Sequence, residues 1–331
     1  MRNILSVVIA LGVAALGQAP AQSGAAANKS GAIPRMPGAL LTAQQAGPAP
    51  GESLSQSYRA SQANNIEYQK IAPFKVMENL YYVGIGSVSV WLIPTSQGLI
   101  LIDAAQEPFV DTVIENVRKV GFEPKNIKYL LLSHGHLDHF GGANKIQKLT
   151  GARVGLSAAD WDFMEKAAAA RAPRPGDEPP KRDLVLREGD TVKLGDTELK
   201  VSITPGHTPG SLSYSFTAFD NKKPYKAFVF GGPGPRNGVE GGTEFLASVQ
   251  RLEKEFADVQ VAAHVHSFLN SYPYPNGGLL ERRDIKAKDP TGPNPFIDNA
   301  SWRLWLKQAH EGALRYIADQ KAKAAKPKAS N

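Results

Sequence analysis

Six residues constrain this chain more than any other stretch. In His134-Gly135-His136-Leu137-Asp138-His139, three imidazoles and a carboxylate follow closely on the apolar run Tyr129-Leu130-Leu131-Leu132, with only Ser133 between. Divalent-ligand side chains packed this tightly read as a metal site, and the imidazole and carboxylate donors suit hydrolytic zinc. A strand ending in Leu132 would deliver them into a loop at its C-terminal edge, with His134 and His136 facing one ion while Asp138 and His139 turn toward another. The fold must therefore be a sheet whose strand ends converge on one edge.

The remaining histidines agree. The chain has 7, at positions 134, 136, 139, 207, 264, 266 and 310. His207 lies in the turn-rich Thr204-Pro205-Gly206-His207-Thr208-Pro209-Gly210, after the strand-like Glu198–Ile203. His264 and His266 follow the apolar run 259–263, again at a strand end. Two residues apart, they would point to the same side of a continuing strand. His264 is favoured as the ligand because it comes first after the buried run, leaving His266 beside it or facing solvent. His310, in the helical stretch Trp302–His310, is expected on the surface.

With these motifs on the page, the chain resembles the metallo-β-lactamase superfamily from about Val83 to His266, in that family's usual order, HxHxDH being its most specific signature. Val83–Ile93 followed by Gly98–Asp103 resembles its opening hairpin, and Asp103 matches the aspartate that supports the metal loop without touching the ion. Local sequence also fits Asp103 as a turn or cap residue before Gln106-Glu107-Pro108. The resemblance implies an α/β fold, an αββα sandwich of two mixed β-sheets with helices on the outer faces.

Cysteine discriminates within the family. Two of the three zinc β-lactamase subclasses carry a cysteine thiolate in the second metal site, and this chain has no cysteine. The resemblance is thus to the third subclass, B3. Carried over residue by residue, it implies two zinc ions, with His134, His136 and His207 on the first and Asp138, His139 and His264 on the second. It further implies that a hydroxide held by the metals attacks the β-lactam carbonyl, with Asp138 orienting it and handling its proton. Glyoxalase II and the acyl-homoserine lactonases add a bridging aspartate at the end of a later strand. Here that strand, Ala227-Phe228-Val229-Phe230-Gly231-Gly232, ends in glycine, which favours the lactamase. The chain also departs from B3, whose members commonly have serines just beyond this strand to receive the substrate carboxylate. It has Gly232-Pro233-Gly234-Pro235-Arg236. Arg236 either takes over carboxylate binding or is an exposed loop arginine.

Four segments follow from composition. Residues 1–21 read as a signal peptide: a positive start at Met1-Arg2-Asn3, the apolar Ile4–Leu16, too short to span a bilayer, and the small-x-small Ala19-Pro20-Ala21. The expected compartment is the periplasm, with no stable membrane association after cleavage. Residues 22–65 are an Ala/Gly/Pro-rich linker or arm, residues 66–320 the catalytic domain and residues 321–331 a frayed basic tail. Helices are expected at about Glu107–Val120, Ala143–Leu149, Ala158–Ala170, Gly242–Phe256 and Asn299–Gln320. The loops Arg171–Pro180 and Ser271–Gly278 either overhang the metals or are solvated connections. The net charge of +7 lies largely in the tail, and no aromatic-basic interleaving marks a nucleic-acid surface. The expected partner is a small-molecule β-lactam, the expected state a monomer. A secreted hydrolase of another ester, lactone or thioester stays open, because fold and metals do not decide substrate. A non-catalytic metal protein is argued against by the full ligand set.

Overall fold

The apolar runs pair into two sheets. In a computed structural model, which describes residues 65–172, 176, 178–255, 257–262 and 278–325, the first sheet has seven strands in sequence order: β1 (Phe74–Met77), β2 (Leu80–Tyr82), β3 (Trp91–Thr95), β4 (Gly98–Ile102), β5 (Ile127–Leu131), β6 (Arg153–Ser157) and β7 (Leu184–Leu186). The first four pair antiparallel, and β4 to β7 pair parallel, with Leu101 opposite Leu130 and Ile102 opposite Leu131. Parallel strands are covered on both faces and need near-continuous apolar sequence, which explains why every residue of β4 after Gly98 is buried. The second sheet runs β12 (Val259–Ala262), β11 (Lys223–Phe230), β10 (Leu212–Asp220), β9 (Thr197–Ile203) and β8 (Thr191–Leu194). Only its β11–β12 pair is parallel.

The two sheets share one core, with Leu92, Ile100 and Leu130 from the first and Val201, Tyr214 and Val229 from the second. Helices cover the outer faces, so the expected αββα sandwich is what the chain forms. They are α1 (Ile66–Gln69), α2 (Val110–Lys119), α3 (Leu137–Phe140), α4 (Ala143–Thr150), α5 (Ala158–Ala169), α6 (Gly238–Leu252), α7 (Leu279–Lys288) and α8 (Asn299–Ala324). A second cluster lies between the second sheet and the α6–α8 pair, built from Phe228, Phe230, Phe245, Val249, Trp302 and Trp305. Among the described residues no helix is long and apolar enough to cross a membrane.

Helix α2 starts at Val110 rather than Glu107, α1, α3 and α7 are not among the expected helices, and the elements differ from expectation at three further points. Asn65 caps α1, its Oδ1 accepting from Tyr68 N at 3.1 Å, and so belongs to the folded part rather than to the arm. Helix α6 starts four residues before Gly242 and ends at Leu252 rather than Phe256. Helix α8 continues past Gln320 through Lys321–Ala324 because Ala and Lys are strong helix formers even where nothing packs on them. The expected signal segment, most of the arm, His264, His266, residues 271–277 and residues 326–331 lie outside the described residues.

Candidate metal centre

The loop after β5 is held before its histidines begin. Leu132 C=O accepts from Tyr214 Oη at 2.8 Å, and Ser133 C=O accepts from Leu212 N at 2.7 Å, tying the loop to the second sheet. From the other side comes Asp103, 1% exposed at the end of β4. Its φ of 67° is a left-handed value that aspartate tolerates better than most residues. Asp103 Oδ1 accepts from Ser133 N at 2.7 Å and Oδ2 from Ser133 Oγ at 2.8 Å. Oδ2 also stands 2.7 Å from His139 Nδ1.

These contacts set the imidazole tautomers. A hydroxyl has one proton, and that of Ser133 goes to Asp103, so His134 Nδ1, 3.0 Å from Ser133 Oγ, is the donor there. His139 Nδ1 donates to the Asp103 carboxylate. His207 Nδ1 donates to Gly234 C=O at 2.8 Å, since a carbonyl can only accept. In this tautomer Nε2 is the acceptor nitrogen of each ring, the form a metal ligand takes.

His207 sits in a turn that follows β9 and admits little variation. Gly206 has φ 116°, and a Cβ there would lie 2.3 Å from Phe245 N on α6. The ring packs on Gly232, where a Cβ would fall 2.6 Å from His207 Cβ. His207 is 3% exposed. Burial, and then the charges of His136 and Arg236, hold its pKa well below the usual histidine range, so it is neutral at pH 7.

The ligand atoms of His134, His136 and His207 all lie within 4.8 Å of one another. Ring centroids are 4.8 Å apart for His134–His136, 4.7 Å for His134–His207 and 4.9 Å for His136–His207. His139 joins them at 4.0 Å from His134. Asp138, its side chain 31% exposed, sets Oδ2 3.7 Å from His139 Nε2 at the open side of the cluster. This donor set fits a divalent metal: His134 and His207 are buried and His136 partly so, their ligand atoms converge, and an accessible carboxylate stands beside them. Five of the six residues named as ligands thus come together, and His264 lies outside the described residues. His310 is remote, on α8, paired with Glu253 at 2.7 Å.

Beyond β11 the chain continues as Gly231–Arg236. A Cβ at Gly231 would lie 1.8 Å from Leu212 O, so no side chain can project there. Arg236 is half-buried: its N donates to Gly206 O at 2.8 Å, and its Nε is buried with no hydrogen-bond partner among the described residues. Arg171, in the proline-rich loop, lies over the Phe140 ring at 5.6 Å. Sequence reasoning assigned no role to Ser133 or Asp160. Ser133 stands next to a ligand. Asp160 stands third after Ser157, a spacing that signals a helix N-terminus and conceals what its carboxylate reaches.

Comparison with known proteins places this geometry. Residues 83–218 match the model of the metallo-beta-lactamase superfamily. A hydroxyacylglutathione hydrolase of Cereibacter sphaeroides is 35% identical over 91 residues, 28% of this chain and 30% of that protein. One of Acidiphilium cryptum is 32% identical over 126 residues, 38% and 43% of the two chains. The match thus spans less than half the length of these curated relatives. Among solved structures, BJP-1, a subclass B3 metallo-beta-lactamase of Bradyrhizobium japonicum, is 29% identical with a TM-score of 0.68, over 78% of this chain and 99% of that one. GOB-18 from Elizabethkingia meningoseptica, a metallo-beta-lactamase, is 27% identical with a TM-score of 0.61, over 76% and 94%.

Proposed function

Because the chain carries a metallo-β-lactamase superfamily domain, with a histidine group suited to a metal, we propose that this hydrolase is a zinc-dependent β-lactamase of the B3 kind. The observation that carries the choice is the Gly231-Gly232 pair after β11, where thioester and lactone hydrolases are expected to carry the bridging aspartate: a Cβ would lie 1.8 Å from Leu212 O at the first and 2.6 Å from His207 Cβ at the second. The structural relatives support the same reading, since the likeness covers nearly all of their length.

In this reading His134, His136 and His207 hold one zinc, and Asp138 and His139 hold a second together with His264. Bound zinc supplies a Lewis acid and lowers the pKa of water from near 16 to about 7. The protein's own groups do the rest. Asp103 keeps His139 in the Nδ1–H tautomer, and the Gly234 carbonyl does the same for His207. Asp138, at the open side, orients the attacking water and accepts its proton. Arg236 takes the substrate carboxylate. Where B3 enzymes commonly have serines for this, the chain has Gly232-Pro233-Gly234-Pro235, and Gly232 is pressed against the His207 side chain. The segment Met1–Ala21 is proposed to direct export to the periplasm.

A second reading has comparable support: hydrolysis of a thioester, lactone or other ester. The curated relatives quoted above are hydroxyacylglutathione hydrolases. Purified protein assayed against a penicillin, a cephalosporin, a carbapenem and a hydroxyacylglutathione thioester, with chelator and with zinc restored, separates the two. Chelator-sensitive β-lactam turnover that is lost in His136→Ala supports the lactamase. Thioester turnover with inert β-lactams overturns it in favour of the second reading.

A further inference from the structure

We propose that Asp160 is a positioning residue for the metal centre: its single carboxylate ties the His134–His136 loop to the His207 turn. Asp160 is fully buried near the start of α5. Its Oδ2 accepts from Gly135 N, between two of the histidines, at 2.8 Å, and from Thr208 Oγ1, next to the third, at 2.6 Å. Its Oδ1 accepts from Gly210 N at 2.7 Å. Three donors from two loops, 25 to 50 residues away in sequence, thus converge on one side chain.

The grip extends to neighbouring groups. Ser157 Oγ donates to Gly210 C=O at 2.6 Å while accepting from Asp160 N at 3.2 Å, so both peptide groups of Gly210 are held by the first turn of α5. A Cβ at Gly210 would lie 2.0 Å from Ser157 Oγ. From the same helix Phe163 stands edge-on to His136, with ring centroids 5.6 Å apart.

Only an acceptor without donors of its own satisfies this arrangement. An asparagine would turn an NH2 toward one of the three donors, since Gly135 N, Gly210 N and Thr208 Oγ1 all give protons to the carboxylate. Burial raises the Asp160 pKa, and the bonds from Thr208, Gly135 and Gly210 oppose that rise. The centre thus has two buried aspartates with divided duties. Asp103 holds Ser133 and His139, and Asp160 holds the backbone on which His134, His136 and His207 are mounted.

This inference rests on the metal reading, and the test keeps the two apart. Zinc affinity of the full chain is measured by competition with a chromophoric chelator, and ligand geometry by the visible spectrum of the cobalt-substituted protein. In Asp160→Asn, zinc should bind about 10- to 100-fold more weakly, with an altered cobalt spectrum. Ser301→Ala, which removes an equally buried hydroxyl bonded to Asp298 and Arg282, should lower thermal stability and leave both metal readouts unchanged. If Asp160→Asn is destabilised like Ser301→Ala but binds zinc and cobalt as the wild type does, Asp160 is merely structural and the proposal falls. Should Asp160→Asn fail to fold, Thr208→Val removes one of the three donors. It should weaken zinc by about 3- to 10-fold, with Thr208→Ser restoring it, and an unchanged Thr208→Val overturns the clamp. A wild-type protein that takes up no zinc overturns the metal reading itself, and the clamp with it.

Discussion

Asp103 and Gly231 show how differently two residues at strand ends can constrain a site. Asp103 works through its charge: its carboxylate accepts from Ser133 N, Ser133 Oγ and His139 Nδ1. Asp103→Asn keeps the size but turns an amide donor toward another donor, and should weaken zinc binding by about 10- to 100-fold, read by calorimetric titration of metal-free protein. Gly231 works through absence. With Leu212 O where a Cβ would go, Gly231→Ala should cost at least about 2 kcal/mol, seen as a lower urea midpoint. The ligand candidates were legible from residue type and spacing, because imidazoles so close in sequence can hardly avoid meeting. Ser133 and Asp160 were not, since their value lies in which distant donors they reach. The glycines at 231 and 232 were legible only as a missing aspartate at the strand end, and what crowds them, the Leu212 carbonyl and the His207 side chain, lies elsewhere in the chain.

At the scale of elements, local pattern located the helices and packing decided their ends. Helix α6 begins at Gly238 despite the poor helix propensity of Gly-Val-Glu-Gly-Gly, because α8 needs the space: a Cβ on Gly242 would meet Ile317 Cγ1 at 2.8 Å. Gly238 N also donates to Tyr316 Oη at 3.1 Å. Helix α7 gave no amphipathic signal, since only Leu279 and Arg282 are buried. Its place depends on Arg282, which meets Asp298 at 2.9 Å and Ser301 Oγ at 2.8 Å, at the start of α8. Helix α8 docks through Trp302, stacked on Trp305 at 5.5 Å and tilted against Phe228 at 5.0 Å. Trp302→Ala should therefore cost about 3–5 kcal/mol. Guanidinium denaturation measures this, and zinc content per folded molecule should be unchanged because α8 lies behind the second sheet, away from the histidines.

For the whole molecule, metal and stability are coupled. In the proposed reading zinc would bind only the assembled histidines, so zinc at 1,000 times its dissociation constant should add about 4 kcal/mol, visible as a fall in melting temperature on chelation. The metal-free protein should also be acid-sensitive. His207 has a folded pKa depressed below its ordinary 6.5, so its contribution is fully present above about pH 6.5 and is lost as pH falls toward the folded value. Melting curves from pH 8 to pH 5 should show a steeper loss for the wild type than for His207→Gln, and equal slopes would count against a buried neutral imidazole. What the sequence by itself determined is the chemistry on offer and the class of scaffold. Clustered ligand types and alternating apolar runs are local properties, and they imply strand-end loops on a layered α/β domain. What only the tertiary structure decided is how the loops are held: Asp160 beneath two of them, Gly231 and Gly232 stripped of side chains by Leu212 and His207, and Arg236 brought beside His207. Those relations join residues tens of positions apart, and they exist only once two sheets and their helices have closed on a common core.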